Sequence, residues 1–268
     1  MQICVIGDAH LDVVVGVAGP LAADTDTPAT THVGVGGQGA NVAAWAAALG
    51  SKSRLIAALG TDLAARLIAE ELAKRGVELV GPIVPGRTGV VVSMSDRGRQ
   101  RSMLTDRGVG TELAAQGMAE DWLDGFDWLH VPAYSLTDGP VRETALAAVR
   151  AAAARSVRLS VDVSSTALIR AHGPCRFRRM LAALHPDVIF GTEEEAALLG
   201  DGVPAGRMVV KLGEAGVRFA GRHYPARPTV AVDATGAGDA FAAGYLIGGM
   251  ELGLEAAARA VATMGAMP

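Results

Sequence analysis

The stretch Val232-Asp233-Ala234-Thr235-Gly236-Ala237-Gly238-Asp239-Ala240-Phe241 decides how the rest of the chain is read. It follows the apolar, β-branched segment Thr229 to Val232 and runs into the small, apolar residues Ala240 to Leu246, so it reads as a loop that opens a helix. Helix N-termini leave their first amides unpaired and carry a partial positive charge. Gly236 and Gly238, lacking Cβ, let those amides approach a phosphate closely. Asp239 then lies in the first turn, beside the same anion hole. A carboxylate there repels an anion, so it either takes a proton from an attacking hydroxyl or simply complements the helix dipole.

The pattern resembles the second signature of the ribokinase-like (PfkB) sugar kinases, Asp-Thr-x-Gly-Ala-Gly-Asp-x-Phe. Asp233, Gly236, Ala237, Gly238, Asp239 and Phe241 match, and Ala234-Thr235 stands in place of Thr-x. The resemblance implies that Gly236, Ala237 and Gly238 form the hole for the transferred phosphoryl group and that Asp239 is the base activating the acceptor hydroxyl. It also implies a nucleotide contact at Thr235 and a monovalent cation, K⁺, beside Asp233.

A chain of 268 residues, 50% of them hydrophobic, is long enough for one α/β domain with a substantial core. A formal charge of -4 supplies no basic field for nucleic acid, and no apolar run is long enough to span a bilayer. The N-terminus starts directly in the apolar run Ile3 to Ile6 without a basic leader, which points to a cytoplasmic enzyme. Cys4 and Cys175 are far apart and offer neither a zinc site nor a disulfide framework.

Gln2 to Ile6 reads as a buried first strand ending in the turn Gly7-Asp8-Ala9-His10-Leu11-Asp12. Polar groups at the carboxyl edge of a parallel sheet are where α/β proteins bind ligands, so Asp12 is either a site residue or a solvated turn aspartate. His10 and Asp12 lack a third metal ligand at recognisable spacing. Further on, Gly34-Val35-Gly36-Gly37-Gln38-Gly39-Ala40-Asn41 precedes an Ala-rich helix, Val42 to Leu49. Gly34, Gly36 and Gly39 satisfy the dinucleotide fingerprint, but polar residues precede it where a buried strand is required, which disfavours a nicotinamide-dependent oxidoreductase.

The same stretch resembles the first signature of the sugar kinases, Gly-Gly-x-Gly-x-Asn before a helix. In that family the turn at Gly36 and Gly37 lets backbone approach the sugar, and the residue at Asn41 bonds its hydroxyls. Asp12 matches the aspartate that binds them from the first strand end, with His10 beside it, and Gln38 stands where ribokinases often carry lysine.

Segments 13–18, 29–35 and 88–104 are short, polar on one face and alternating, as in a half-buried sheet. They read as a lid, with a hairpin turn at Ser95-Asp96-Arg97-Gly98. In the family picture Gly89 and Met103 face the substrate, and Arg107 leaves the hairpin toward the expected cleft. The remainder alternates strands and helices: Arg54 to Leu59, a helix capped by Thr61 or Asp62 and running to Lys74, strand Trp128 to Val131, helix Val141 to Ala154, strand Arg158 to Val163, helix Pro174 to Leu184 and strand Val188 to Phe190. Thr192-Glu193-Glu194-Glu195 resembles the Asn-x-x-Glu motif with threonine in the asparagine place, which implies that Glu195 holds Mg²⁺ through water. Acidic residues in a first turn also stabilise a helix without any metal. Met208 to Leu212 and Val217 to Ala220 flank Gly213-Glu214-Ala215-Gly216, which resembles the family's nucleotide-side strand pair and turn and implies that Lys211, Gly213 and Gly216 lie near ATP, although turn glycines need no ligand. A last helix covers Leu254 to Met264.

The expectation is one ribokinase-like domain over 1–268, a doubly wound, mainly parallel sheet with a small β-sheet lid. Its activity would be ATP- and Mg²⁺-dependent phosphorylation of a hydroxymethyl group on a sugar or nucleoside, with a homodimer joined through the lids or hinge closure over the acceptor. A non-catalytic sugar-binding regulator is disfavoured because Asp239 is present.

Overall fold

The computed structural model describes residues 1–95, 101–114, 120–203 and 207–268. Strand β1 (Ile3–Ile6) has no exposed surface at any of its four residues. A run that is apolar on both sides suits a central strand covered by helices on both faces. Next come β2 (His10–Val17), β3 (Ala29–Gly36), α1 (Gln38–Ala48), β4 (Ser53–Ile56), α2 (Leu63–Lys74), β5 (Val77–Val80), β6 (Thr88–Ser95) and β7 (Arg101–Gly108). The second half supplies β8 (Trp128–Pro132), α3 (Tyr134–Thr137), α4 (Gly139–Ala154), β9 (Arg158–Asp162), α5 (Thr166–His172), α6 (Pro174–Leu184), β10 (Val188–Thr192), α7 (Glu193–Leu199), β11 (Met208–Lys211), β12 (Val217–Phe219), β13 (Arg222–Tyr224) and α8 (Ala237–Val261).

The large sheet has the order β13-β12-β11-β10-β9-β8-β1-β4-β5. Pairings from β5 to β11 are parallel, and β12 and β13 are added antiparallel at one edge. One face buries Val42 to Ala46 of α1 and Ala240 to Ala243 of α8 against β1, β4, β10 and β11. The other face buries Val141, Ala145 and Ala148 of α4, Ile169 of α5, and Phe177 and Leu181 of α6. Strand order reverses beside β1, and ligands of open α/β sheets bind in the crevice at such a reversal, outside the carboxyl ends of the strands.

A second sheet, order β3-β2-β6-β7, stands apart from the first. Segments 13–18, 29–35 and 88–104 therefore pair with one another, with β2 and β6 parallel and the outer pairs antiparallel; residues 96–100, with the expected turn at 95–98, lie outside the described residues. Register puts His10, Asp12 and Val14 on one face with Gly34, Val91, Ser93, Met103 and Thr105. Val13, Val33, Val92 and Leu104 form a row on the opposite face, where Val33 and Leu104 are more than half exposed.

Several boundaries differ from expectation. Asp12 lies inside β2 and not in a turn at the edge of the parallel sheet, because β2 begins at His10 once Leu11 and Val13 find a common face. The helix expected from Val42 starts at Gln38. Thr229 to Val232 is rich in β-branched residues yet forms no strand and is exposed; the Val232 amide donates instead to Val261 O at the end of α8, at 2.8 Å. The final helix ends at Val261 rather than Met264, and the backbone of Gly249 breaks it into two runs. Helix α5 and strand β13 were not anticipated; each is short, and α5 is capped by Ser165 accepting the Leu168 amide at 3.1 Å.

Candidate active site

Asp239 is the third residue of α8, as the loop-to-helix reading required. The cap residue Gly236 has φ 74°, and a Cβ there would collide with Ala266, so the turn admits glycine alone. Asp233 holds the loop from within: its Oδ1 accepts from the Thr235 amide at 2.9 Å and the Thr235 hydroxyl at 2.6 Å, and its Oδ2 accepts from the Gly265 amide at 3.1 Å.

Helices α1 and α8 lie side by side because both present alanines to the contact, which lets their N-terminal turns converge. Asn41, buried in α1, donates from Nδ2 to Asp239 Oδ2 at 2.8 Å. Its Oδ1 is buried and has no partner among the described residues. Partial burial at the base of the cleft pushes the Asp239 carboxyl up to about 7, against the opposing pull of Asn41 and Lys211, with Asp162 and Asp8 pushing further upward. A carboxylate that gains and loses its proton near neutrality is suited to proton transfer.

Lys211, the last residue of β11, brings Nζ to 2.7 Å from Asp162 Oδ2. The same amino group lies beside Gly238, where a Cβ would be 3.1 Å from it. Burial works against both charges, but mutual attraction prevails: the Asp162 carboxyl is held below its usual range and the Lys211 ammonium above its own. A cation thus stands at the N-terminus of α8, next to the amides of Gly236 to Gly238. Gly213 and Gly216 occupy the turn joining β11 to β12, beside Lys211.

Glu195 is buried at the third position of α7. Thr192, in the place of the family asparagine, closes a capping box: Glu195 Oε2 accepts the Thr192 amide at 2.7 Å, and Thr192 Oγ1 accepts the Glu195 amide at 3.3 Å. The helix-stabilising reading of Glu195 is therefore realised. Its charge also acts on Lys211, helping to hold that ammonium above its ordinary range.

At the mouth of the small sheet, a Cβ at Gly36 would collide with the Asp12 carboxylate, so glycine permits Asp12 to fold back over β3. His10 stands between two carboxylates, with Nδ1 at 2.9 Å from Asp12 Oδ1 and Nε2 at 3.7 Å from Asp8 Oδ2. Burial disfavours its charge, yet the pairing with the Asp12 carboxylate and the field of Asp8 leave its pKa raised. Gly37 caps α1, and Gln38 Oε1 accepts from Ser164 Oγ at 2.7 Å. Gly89 and Arg107 are register partners on the Asp12 face, and Arg107 Nη1 reaches Tyr134 O at 3.4 Å with its guanidinium over the Tyr134 ring.

That face overlooks a cavity of about 800 Å³ bounded by Asp12, Val14 and Ser93 of the small sheet, Leu67 of α2 and the loop Val232 to Thr235. Asp239 is not among its lining residues. The sequence reading missed Asp8, whose Oδ1 accepts the Gly39 amide at 3.2 Å, together with Asp162 and Ser164. Their signal was present in Ser160-Val161-Asp162-Val163-Ser164, polar side chains at the carboxyl end of a parallel strand. Among the described residues no group of three His, Cys, Asp or Glu forms a metal site, and no helix is long and apolar enough to cross a membrane.

Residues 1–267 match the pfkB family of carbohydrate kinases. The chain belongs to that family and is a phosphotransferase that uses ATP and a sugar alcohol group as acceptor. It is 32% identical to a fructokinase of Klebsiella pneumoniae, over 92% of this chain and 84% of that one. To an ATP-dependent ribose-1-phosphate kinase of Halopiger xanaduensis it is 30% identical, over 79% of this chain and 72% of the other. Among solved structures, adenosine kinase from Sinorhizobium meliloti shares the fold with a TM-score of 0.86 at 20% identity, covering 100% of this chain and 95% of that one.

Proposed function

We propose that this kinase phosphorylates a hydroxymethyl group of a monosaccharide, with Asp239 as general base. The observation that carries the reading is Asp239 itself, a carboxyl poised near neutrality in the first turn of α8, beside amides and a lysine that suit a phosphoryl group. Asp239 takes the proton of the attacking hydroxyl, and the amides of Gly236, Ala237 and Gly238 with Lys211 stabilise charge on the transferring group. Thr235, Gly213 and Gly216 border the nucleotide. Asp12, held by His10, takes acceptor hydroxyls together with the backbone at Gly36 and Gly37, Gln38 and the open Oδ1 of Asn41; Gly89, Met103 and Arg107 complete that wall.

Glu195 fits a role in holding the waters of Mg²⁺, since it is an oxygen donor whose field reaches the phosphate side. The metal, when bound, would offset phosphate charge. Asp233 commits both oxygens to the loop, so K⁺ activation would act by stiffening the turn that Asp233 already braces.

The small sheet acts as a lid over the acceptor, excluding water that would otherwise compete for the phosphoryl group. Its exposed row of Val33, Val13, Val92 and Leu104 suits pairing of two lids in a homodimer. A nucleoside acceptor is the second reading, favoured by the size of the 800 Å³ cavity and its apolar lining from Val14, Leu67 and Met267.

The test is ADP release with a panel of D-fructose, D-ribose, ribose-1-phosphate and adenosine. Asp239→Asn should lower turnover by about two to four orders of magnitude while ATP still binds. Turnover within a few-fold of wild type would remove Asp239 from the mechanism.

A further inference from the structure

Gln38, Ser164, Asp162 and Lys211 join the acceptor side of the cleft to the phosphate side without a gap, the middle link being made by the Ser164 backbone amide. Gln38 Oε1 accepts from Ser164 Oγ at 2.7 Å, the Ser164 amide donates to Asp162 Oδ1 at 2.9 Å, and Asp162 Oδ2 accepts from Lys211 Nζ at 2.7 Å. Lys211 then stands against Gly238 in the phosphate hole. The line crosses three elements: the first residue of α1, the exit of β9 and the end of β11.

Its middle is under constraint. Ser164 has φ 69°, a left-handed conformation that residues other than glycine seldom adopt. A residue in that conformation persists only where its surroundings hold it, and here a side-chain bond to Gln38 and a backbone bond to Asp162 do so. Asp162 is 1% exposed and carries one bonded partner on each oxygen, so its orientation is fixed by Ser164 and Lys211 together. At the far end, the Gln38 amide nitrogen donates to no described residue and is left for a ligand.

We propose that Gln38, Ser164 and Asp162 form one positioning line that fixes Lys211 at the phosphate hole and couples it to acceptor contact at Gln38. This rests on the kinase reading above. A hydroxyl accepting from the Gln38 amide nitrogen fixes the amide so that its oxygen faces Ser164, which in turn holds the Asp162 carboxylate square to Lys211. Acceptor and nucleotide then strengthen each other's binding by the same factor, as linkage requires.

The experiment is a double-mutant cycle on binding of a Mg²⁺-bound, non-hydrolysable ATP analogue, measured by titration calorimetry with thermal unfolding as a folding control. Ser164→Ala removes the hydroxyl, which donates to Gln38 Oε1 at 2.7 Å and lies 3.3 Å from Asp162 O, but leaves the amide bond to Asp162; it should weaken the analogue about 3–10-fold, the range for one hydrogen bond. In a Lys211→Gln background it should add no further loss, because the line then has nothing to position. Should Ser164→Ala fail to fold, Gln38→Ala enters the cycle in its place. Additive effects, or an analogue affinity within twofold of wild type at unchanged unfolding temperature, would overturn the proposal. A second arm uses whichever of D-fructose, D-ribose, ribose-1-phosphate and adenosine the wild type phosphorylates fastest: Gln38→Ala should raise the KM of acceptor and of ATP together, and a rise confined to the acceptor would refute the coupling. If wild type phosphorylates none of the four, the acceptor assignment fails, and the binding cycle still decides the line.

Discussion

Asn41→Ala gives a quantitative test of the base. Its Nδ2 donates to Asp239 Oδ2 at 2.8 Å and favours the ionised carboxylate, which otherwise sits up at about 7 through burial. A hydrogen bond to a charged group is worth about 1.5–3 kcal/mol, and water entering the space left by Asn41 replaces part of it. A net loss of about 1.4 kcal/mol corresponds to about one pKa unit, moving the carboxyl from about 7 to about 8. At pH 7 the ionised fraction then falls from about one half to about one tenth, so kcat/KM drops about fivefold from ionisation alone. At pH 9 both enzymes are ionised and this component of the loss disappears. The assay is kcat/KM for the acceptor from pH 5.5 to 9.5, whose acid limb reports the free enzyme. An acid limb unmoved by Asn41→Ala would refute both the bond and the assignment of the limb to Asp239.

Other consequences are open to simpler measurements. The folded-state pKa of Asp239 is raised above the ordinary 3.8, so its contribution to stability is present below about pH 4 and lost as pH rises through 7. Asp239→Asn should therefore unfold at a higher temperature than wild type at pH 8, with the gap closing toward pH 4; a gap independent of pH would contradict the shift. Gly36→Ala drives a methyl into the Asp12 carboxylate and should raise the acceptor KM at least tenfold with little change in ATP affinity, as steady-state kinetics would show. Thr192→Val removes the Oγ1 cap and should cost about 1 kcal/mol in urea unfolding, and a cost under a few tenths would mean that the capping box is idle.

The pattern around Asp239 was legible because its information is local: a loop, two glycines and a helix start lie within ten residues. The two-sheet division was legible too, since period-two alternation in 13–18, 29–35 and 88–104 contrasts with the all-buried β1. What escaped depends on contacts distant in sequence. Nothing near Asn41 says that its amide meets a carboxylate 198 residues later, and its expected service to sugar hydroxyls is left to the other half of the amide. Asp162 and Ser164 carry no motif of their own and become meaningful only when β9 and β11 bring Lys211 within reach. Thr229 to Val232 has strand-like side chains, but its backbone turns to the end of α8, where Val261 O accepts the Val232 amide, a contact that local propensity does not encode.

The seam between α1 and α8 has a consequence for biosynthesis. The proposed base and its partner Asn41 lie 198 residues apart, so this pair cannot form until α8 has followed α1 through synthesis. Acceptor-side residues from His10 to Asn41 emerge early and can settle into their own sheet and helix, whereas the phosphate hole does not exist until residues 236–246 have left the exit tunnel. The same long closure delays the final folding step, because the loop joining the two helices must be gathered before the alanine-lined contact can reward it.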